Sequence, residues 1–408
     1  MKHVFCLSLI LLYASDRASA TDLTLDEAVI AALDHNPALL TARQRVAAAT
    51  GAAIQARLWN NPVIELSAED MPTDDLGLSR SKNLVGVSQT LPFPGKKSLD
   101  GRSAGQAVRV AESDSRASEL GVIRDVKIAY YRVLATDRRM VIAQQLVELA
   151  ESLATTAAKR VEAGAAAAQE QLRAEIELER ARAELANLRR EQTEARQSLA
   201  TLMGQPGNAE FALTGALSEA VELSTLAQTH DQLLRTQPRL AAAMAERERA
   251  EFELRRARLD SLPDVTLGVA GGREAASNED IVEFSVSLPL PLFDHGQGRR
   301  REALAKSRMA GAELTATEYR LLQELVSLEA RLRAAAEQVA AYRQRILPKA
   351  EEALRMVQGG FDAGKFGFID LLDTQRTVAE ARLAFQEKLL ELNSAQAELE
   401  AWRKGAQP

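Results

Sequence analysis

Residues 361–382, FDAGKFGFIDLLDTQRTVAEAR, place a glycine-bearing turn directly before a helix whose first turns carry two carboxylates. The same arrangement occurs upstream in residues 161–182, VEAGAAAAQEQLRAEIELERAR: Ala163-Gly164 falls on Ala363-Gly364, Leu172 on Leu372, and Ala181-Arg182 on Ala381-Arg382. A helical sequence rich in Ala, Leu and Arg matches itself weakly at many offsets, so the prolines are the sharper test. Pro37, Leu58, Pro62 and Leu66 map at one constant offset onto Pro238, Leu259, Pro263 and Leu267, and Leu91-Pro92-Phe93-Pro94 maps onto Leu288-Pro289-Leu290-Pro291. The chain reads as a tandem duplication, with a first repeat over 21–203, a connector over 204–230 and a second repeat over 231–403.

With 4% aromatic residues and heavy use of Ala, Leu, Glu, Arg and Gln in 408 residues, long helices are expected instead of a wide globular core. Lys2, the apolar run over 4–13 and the small residues Ala18-Ser19-Ala20 read as a secretory signal over 1–20, with a mature chain from Thr21. The single cysteine, Cys6, lies inside that run and away from a cleavage site, which argues against a lipoprotein; once the signal is removed, no thiol chemistry remains. No later run of about 20 apolar residues exists, so the expected forms are a soluble exported protein or a contributor to a β-barrel. The net charge of −6 is mild and the basic residues alternate with acidic ones along helices, giving no reason to expect nucleic acid.

Along the chain, 23–58 reads as a helix opened by a Thr24/Glu27 capping box and broken at Asn36-Pro37. From Pro62 the apolar period drops to two. Ile64, Leu66 and Ala68 oppose Val63, Glu65, Ser67 and Glu69, and after a turn-rich segment Val85, Val87 and Leu91 oppose Gly86, Ser88 and Thr90, giving a hairpin over 62–92. The second repeat has its own hairpin over 263–290, in which Val265, Leu267, Val269, Val282, Phe284 and Val286 face away from Thr266, Gly268, Glu283 and Ser285. In an exported chain, strands with one apolar and one polar face suit a barrel wall between lipid and water, with Glu65, Ser67, Thr266, Glu283 and Ser285 toward the lumen. A small soluble sheet packed on a helix is the alternative.

Residues 96–163 run without proline, and an uninterrupted helix of that length reaches roughly 100 Å. The counterpart over 298–360 carries only Pro348. The other helices, including 168–203 and 368–402, are about half as long. Each repeat is therefore expected to pack a long helix antiparallel to two stacked short ones, with turns at Gly164 and Gly364 at one end and the hairpin at the other. The connector carries Gly, Pro, Asn and a short helical piece, and the tail over 404–408 is expected to fray.

Several motifs together carry a resemblance: the Asn61-Pro62-Val63-Ile64 entry to the first strand, the exit SQTLPFPGKK over 88–97, the exit LPLPLFDHGQGRRREA over 288–303, and the paired Ala-Gly turns. The chain resembles the TolC family of outer-membrane efflux channels from Leu23 to Trp402, and the exits look most like its heavy-metal branch. The resemblance implies a mainly α protomer with a small β part, and a homotrimer in which three sheets close one 12-stranded barrel while the helices form a tunnel across the periplasm. It further implies a passive outer-membrane channel in a tripartite RND-type efflux system, partnered by a periplasmic adaptor, an inner-membrane pump and outer-membrane lipid, and conducting heavy-metal cations. Drug efflux or type I protein secretion by the same channel is the nearer alternative, and a soluble periplasmic coiled-coil scaffold the more distant one.

The family's acidic rings at the periplasmic mouth fall on Asp370 and Asp373, three apart and on one helix face, with Arg376 in reach of Asp373 or of a neighbouring protomer. The simpler reading is that acidic residues favour a helix start. The first repeat carries Gln169 and Glu170 at the matching place. Ala163, Gly164, Ala363, Gly364 and Phe366 fall at the tips where the family docks an adaptor hairpin, a reading that Phe366 and Phe368 favour as apolar residues beside an exposed turn. His35, His230 and His295 have no partner at helical spacing, so no metal site is expected. Residues 94–98, PGKKS, lack the upstream glycine of a phosphate loop, and no catalytic triad or dinucleotide fingerprint is visible, so neither a cofactor nor an enzyme is implied.

Overall fold

The computed structural model describes residues 22–71, 81–207, 209–220, 234–275 and 277–404. The expected signal over 1–20, the helical piece of the connector within 221–233 and tail residues 405–408 lie outside the described residues.

The first repeat opens with β1 (Asp22–Leu23), α1 (Leu25–His35) and α2 (Pro37–Arg57). The capping box forms in both directions: the Thr24 N–H donates to Glu27 Oε2 at 2.8 Å and the Glu27 N–H donates to Thr24 Oγ1 at 3.3 Å. Pro37 cannot donate to α1, and the Asn36 carboxamide restarts the helix by accepting from the Ala38 N–H at 2.9 Å, so the Asn-Pro break separates two helices. Then follow β2 (Val63–Glu69), β3 (Lys82–Leu91), the 67-residue α3 (Lys96–Glu162) and α4 (Ala168–Leu202). A short β4 (Ala212–Leu213) pairs in parallel with β1.

The second repeat carries α5 (Pro238–Arg258), β5 (Val265–Glu274), β6 (Glu279–Ser287), α6 (Gln297–Ala341), α7 (Leu347–Asp362) and α8 (Phe368–Lys404). The long helix expected over 298–360 stays helical throughout but changes its winding once. A π-turn at Tyr342–Ile346 separates α6 from α7 immediately before Leu347-Pro348. Proline lacks an N–H and its ring collides with the carbonyl four residues back, and the wider turn relieves both problems without ending the helix.

Packing divides the described residues into two compact units that cut across the repeats: one holds those within 22–35, 125–220 and 335–394, the other those within 36–124, 234–334 and 395–404. In the first, Ala143, Val147 and Ala150 of α3 pack on Leu178, Ala181, Leu185 and Leu188 of α4, small residues on one helix admitting large ones from the other. Its connector is held by polar contacts. The Asn393 carboxamide accepts from the Ser218 N–H and donates to the Ser218 carbonyl, both at 2.9 Å, and the buried Tyr130 hydroxyl lies 2.8 and 2.6 Å from the Leu23 and Thr214 carbonyls. In the second unit, Leu321, Leu325, Leu328 and Leu332 are fully buried at spacings of four, three and four, the seam of a coiled coil.

Gly204 closes α4 with φ +75°, and a Cβ there would lie 2.5 Å from the His35 carbonyl oxygen. Gly164 has nearly the same backbone, φ +70°, but open space around it. Strain alone therefore acts at Gly164, at about 1 kcal/mol, while strain and overlap act together at Gly204. Gly204→Ala is expected to lower the thermal midpoint clearly more than Gly164→Ala; equal shifts would show that His35 yields freely.

Candidate channel wall and mouth

The four longer strands form one antiparallel sheet in the order β2-β3-β5-β6. Residues paired across it share a face. Ile64, Val87, Val269 and Phe284 form one such row and Leu66, Val85, Gly271 and Val282 another, on the same face. The opposite face holds the row Glu65, Gly86, Ala270 and Glu283 and the row Val63, Ser88, Gly268 and Ser285. Ser67 and Thr266 lie on that second face as well. The apolar side chains are bare: Phe284 is 83% exposed and Leu66 77%. The polar face is cross-linked, with Ser88 Oγ donating to Glu65 Oε1 at 2.9 Å, the Thr90 and Thr266 hydroxyls 2.9 Å apart, and Lys82 paired with Glu283.

Charged residues fasten the foot of the sheet. Lys96, the first residue of α3 and nearly buried, reaches Asp264 just before β5 at 2.8 Å, and the Phe93 N–H donates to the same carboxylate at 2.8 Å. Burial pushes the Asp264 pKa up, but the Lys96 hydrogen bond, the Phe93 N–H and the charges of Lys96 and Arg256 outweigh it and hold the group below its ordinary value. Beside it an alternating chain runs Asp100, Arg256, Asp260, Arg299, Asp294, with separations of 2.9, 2.5, 2.9 and 3.2 Å. The PGKKS stretch therefore has a structural task, since Lys96 ties the exit of the first hairpin to the entry of the second.

The two tips belong to the other unit and share a pattern of three backbone bonds. In the first, the Ala163, Gly164 and Ala165 N–H groups donate to the carbonyls of Lys159, Val161 and Arg160; in the second, Ala363, Gly364 and Lys365 donate to Gly359, Phe361 and Gly360. The Gly164 and Gly364 φ values of +70° and +71° complete a left-handed helix C-cap that favours glycine. An exposed ion pair also recurs, Arg182–Glu151 at 3.0 Å and Arg382–Glu351 at 2.8 Å. Pairs this exposed contribute about 0–1 kcal/mol each, so they register the helices more than they hold them.

The tips differ in their aromatic residues. Phe368 is not part of the exposed apron of the turn, contrary to the expectation from its neighbour Gly364; it is 2% exposed, packed with Ala157 and Ala174 and 6.1 Å from the Phe361 ring. At the matching positions in the first repeat, Ala166 and Ala168 stand in place of Phe366 and Phe368. Phe366 remains exposed, its ring lying over Gly360, where any side chain would overlap it. Asp370 and Asp373 are both exposed near the start of α8. Asp370 Oδ2 accepts from the Gly367 N–H at 2.9 Å, which is a helix-start role, and Arg376 pairs with Glu380 at 3.4 Å instead of with Asp373.

A profile described as "Outer membrane efflux protein" matches residues 29–205 and again 229–402, one match for each repeat. The chain belongs to this outer membrane efflux protein family. The cobalt-zinc-cadmium resistance protein CzcC of Cupriavidus metallidurans is 27% identical over 369 residues, covering 90% of this chain and 87% of that protein. The pyoverdine export outer membrane protein OpmQ of Pseudomonas aeruginosa is 26% identical, covering 81% and 71%. Among solved structures, the outer membrane protein VceC of Vibrio cholerae superposes with a TM-score of 0.77 at 20% identity, covering 93% of this chain and 95% of that one.

No helix of this outer membrane efflux protein is long and apolar enough to cross a membrane, among the described residues. An exposed apolar surface lies instead on one face of the sheet. The strands and the glycine turns lie where the sequence pattern puts them. The Lys96–Asp264 link and the burial of Phe368 against Ala157 and Ala174 are visible only in the structure.

Proposed function

We propose that three copies of this chain close their sheets into one 12-stranded outer-membrane barrel, continuous with a helical tunnel, through which heavy-metal cations leave the cell passively. The observation that carries the reading is a sheet with one bare apolar face, one cross-linked polar face, and β2 and β6 as open edges. In lipid an open edge costs several kcal/mol per unpaired backbone group, so such a sheet needs neighbours on both sides. Glu65, Ser67, Thr266, Glu283 and Ser285 then line the water-filled side. Gly86, Gly268, Ala270 and Gly272 on that same face leave the room that inward curvature needs.

The tips at Ala163, Gly164, Ala363, Gly364 and Phe366 are the docking points for a periplasmic adaptor, and through it for an inner-membrane pump that supplies the energy. An N-terminal signal over 1–20 exports the chain. The choice of metal cations follows from the similarity to CzcC, a cobalt-zinc-cadmium resistance protein, which spans 90% of this chain and 87% of that one.

Asp370 and Asp373 would put six carboxylates at the axis of the trimer, where they attract cations and repel one another. Asp370→Ala with Asp373→Ala is expected to leave trimers intact, raise single-channel conductance in planar bilayers and weaken block by divalent cations from the periplasmic side. Unchanged conductance and block in assembled trimers would leave Asp370 with its helix-start role alone and put the constriction elsewhere.

A further inference from the structure

Where β6 ends, the chain does not become polar. Residues 288–293 read LPLPLF, and Leu288, Leu290, Leu292 and Phe293 are all exposed, Phe293 at 91%. Trp59, leading into β2 at the same end of the sheet, is exposed as well. Immediately beyond this apolar rim, α6 opens with Arg299, Arg300 and Arg301. Arg299 is engaged by Asp294 and Asp260, whereas Arg300 and Arg301 are exposed and form no ion pair among the described residues.

A second copy paired along the β6 edge is the first occupant to consider. Pro289 and Pro291 remove the N–H groups that a continued ladder needs, and the Leu292 N–H is turned inward to the Leu290 carbonyl at 2.9 Å. A neighbouring copy would bring residues 58–61, LWNN, to this edge, and these hold no carboxylate for Arg300 and Arg301. A bilayer rim supplies what both halves of the patch require. Its acyl boundary takes leucine and phenylalanine, and anionic headgroups take the arginines.

We propose that residues 288–301 form a lipid-binding collar that seats this protein on the periplasmic leaflet of the outer membrane, with Leu290, Leu292 and Phe293 at the acyl boundary and Arg300 and Arg301 on the phosphates of anionic phospholipids. The proposal rests on the reading of the sheet as a membrane barrel, with which the collar is continuous through Val286 and Leu288. The polarity is fixed by the chain, since the arginines lie on the helical side of the apolar rim.

The test uses the full-length trimer in proteoliposomes, with Trp59→Phe and Trp402→Phe as background and one tryptophan returned as Phe293→Trp or, in the barrel, Phe284→Trp. Phosphatidylcholine brominated high on the acyl chain should quench the tryptophan at 293, and mid-chain bromine the one at 284. A tryptophan at 293 reached by aqueous iodide instead of bromine, or shielded from both by a second copy, overturns the collar while quenching at 284 keeps the barrel. Absence of quenching at 284 overturns the barrel reading itself. For the headgroup, phosphatidylglycerol retained per trimer after detergent extraction should fall about 30-fold in Arg300→Gln with Arg301→Gln, two cations each contributing about 1 kcal/mol at an anionic surface. Equal retention by wild type and variant removes the arginines from the proposal; the quenching arm keeps both arginines and so does not depend on that variant assembling.

Discussion

Phe284→Arg is expected to destabilise the membrane-inserted form by about 2–4 kcal/mol, the cost of a cation at mid-depth on a lipid-facing wall, while Ser285→Arg, one residue on, should cost far less. The two positions differ only in face. Phe284 shares its row with Val269, Val87 and Ile64, and Ser285 shares its row with Gly268, Ser88 and Val63. A side chain at 285 meets a polar row beside the Lys82–Glu283 pair and can reach water, whereas one at 284 has only apolar neighbours. The measurement is the heat-resistant trimer fraction after extraction from outer membranes. Equal losses for the two variants would mean that neither face meets lipid, or that the register is shifted by one residue.

Phe368→Ala should be the most damaging single truncation at the tips. The side chain is fully buried between Ala157 of α3 and Ala174 of α4, and these small residues cannot close over the space it leaves. Deletion of a buried phenylalanine side chain costs about 3–5 kcal/mol when the site does not collapse. Phe361 would lose its ring partner at 6.1 Å, and Arg160, 5.6 Å above the Phe361 ring, would lose part of its support. Hydrogen exchange across α7 and the start of α8 should accelerate strongly in this variant, while Phe366→Ala, which removes an exposed ring, should change it little. If the two behaved alike, the tips would not be held by Phe368.

The strands were legible because each has one apolar face, and a period of two survives any single unusual residue. The two hairpins were legible with them, but the pairing of β3 with β5 was not, because nothing in the local pattern of β3 says that β5 rather than another strand will lie beside it. The Gly164 and Gly364 turns were legible for a similar reason: a helix C-cap needs a left-handed residue, and glycine supplies it at no steric cost. Phe368 is near an exposed turn in sequence, yet as the first residue of α8 it already points into the packing, and nearness in sequence does not carry that. For Arg376 the sequence offers Asp373, three residues before it, or a neighbouring protomer; within the chain it pairs with Glu380, four residues after it, and one helix face offers both carboxylates. Lys96 and Asp264 could not be paired from the sequence at all, since their contact depends on the two hairpins lying side by side. The widening of the long helix at 342–346 was foreshadowed by Pro348, yet proline tells where a helix is disturbed and not whether it ends, kinks or widens.

The central claim is that this chain forms a transmembrane pore, and the most direct test is planar-bilayer recording from the purified full-length protein, reconstituted as trimers at low density. The account predicts discrete, long-lived conductance steps that favour cations and are blocked by divalent metal from the side of the helical tips, with Glu65→Gln and Glu283→Gln reducing the cation preference. Trimers that insert but never conduct, or a protein that stays soluble and monomeric without detergent, would contradict it.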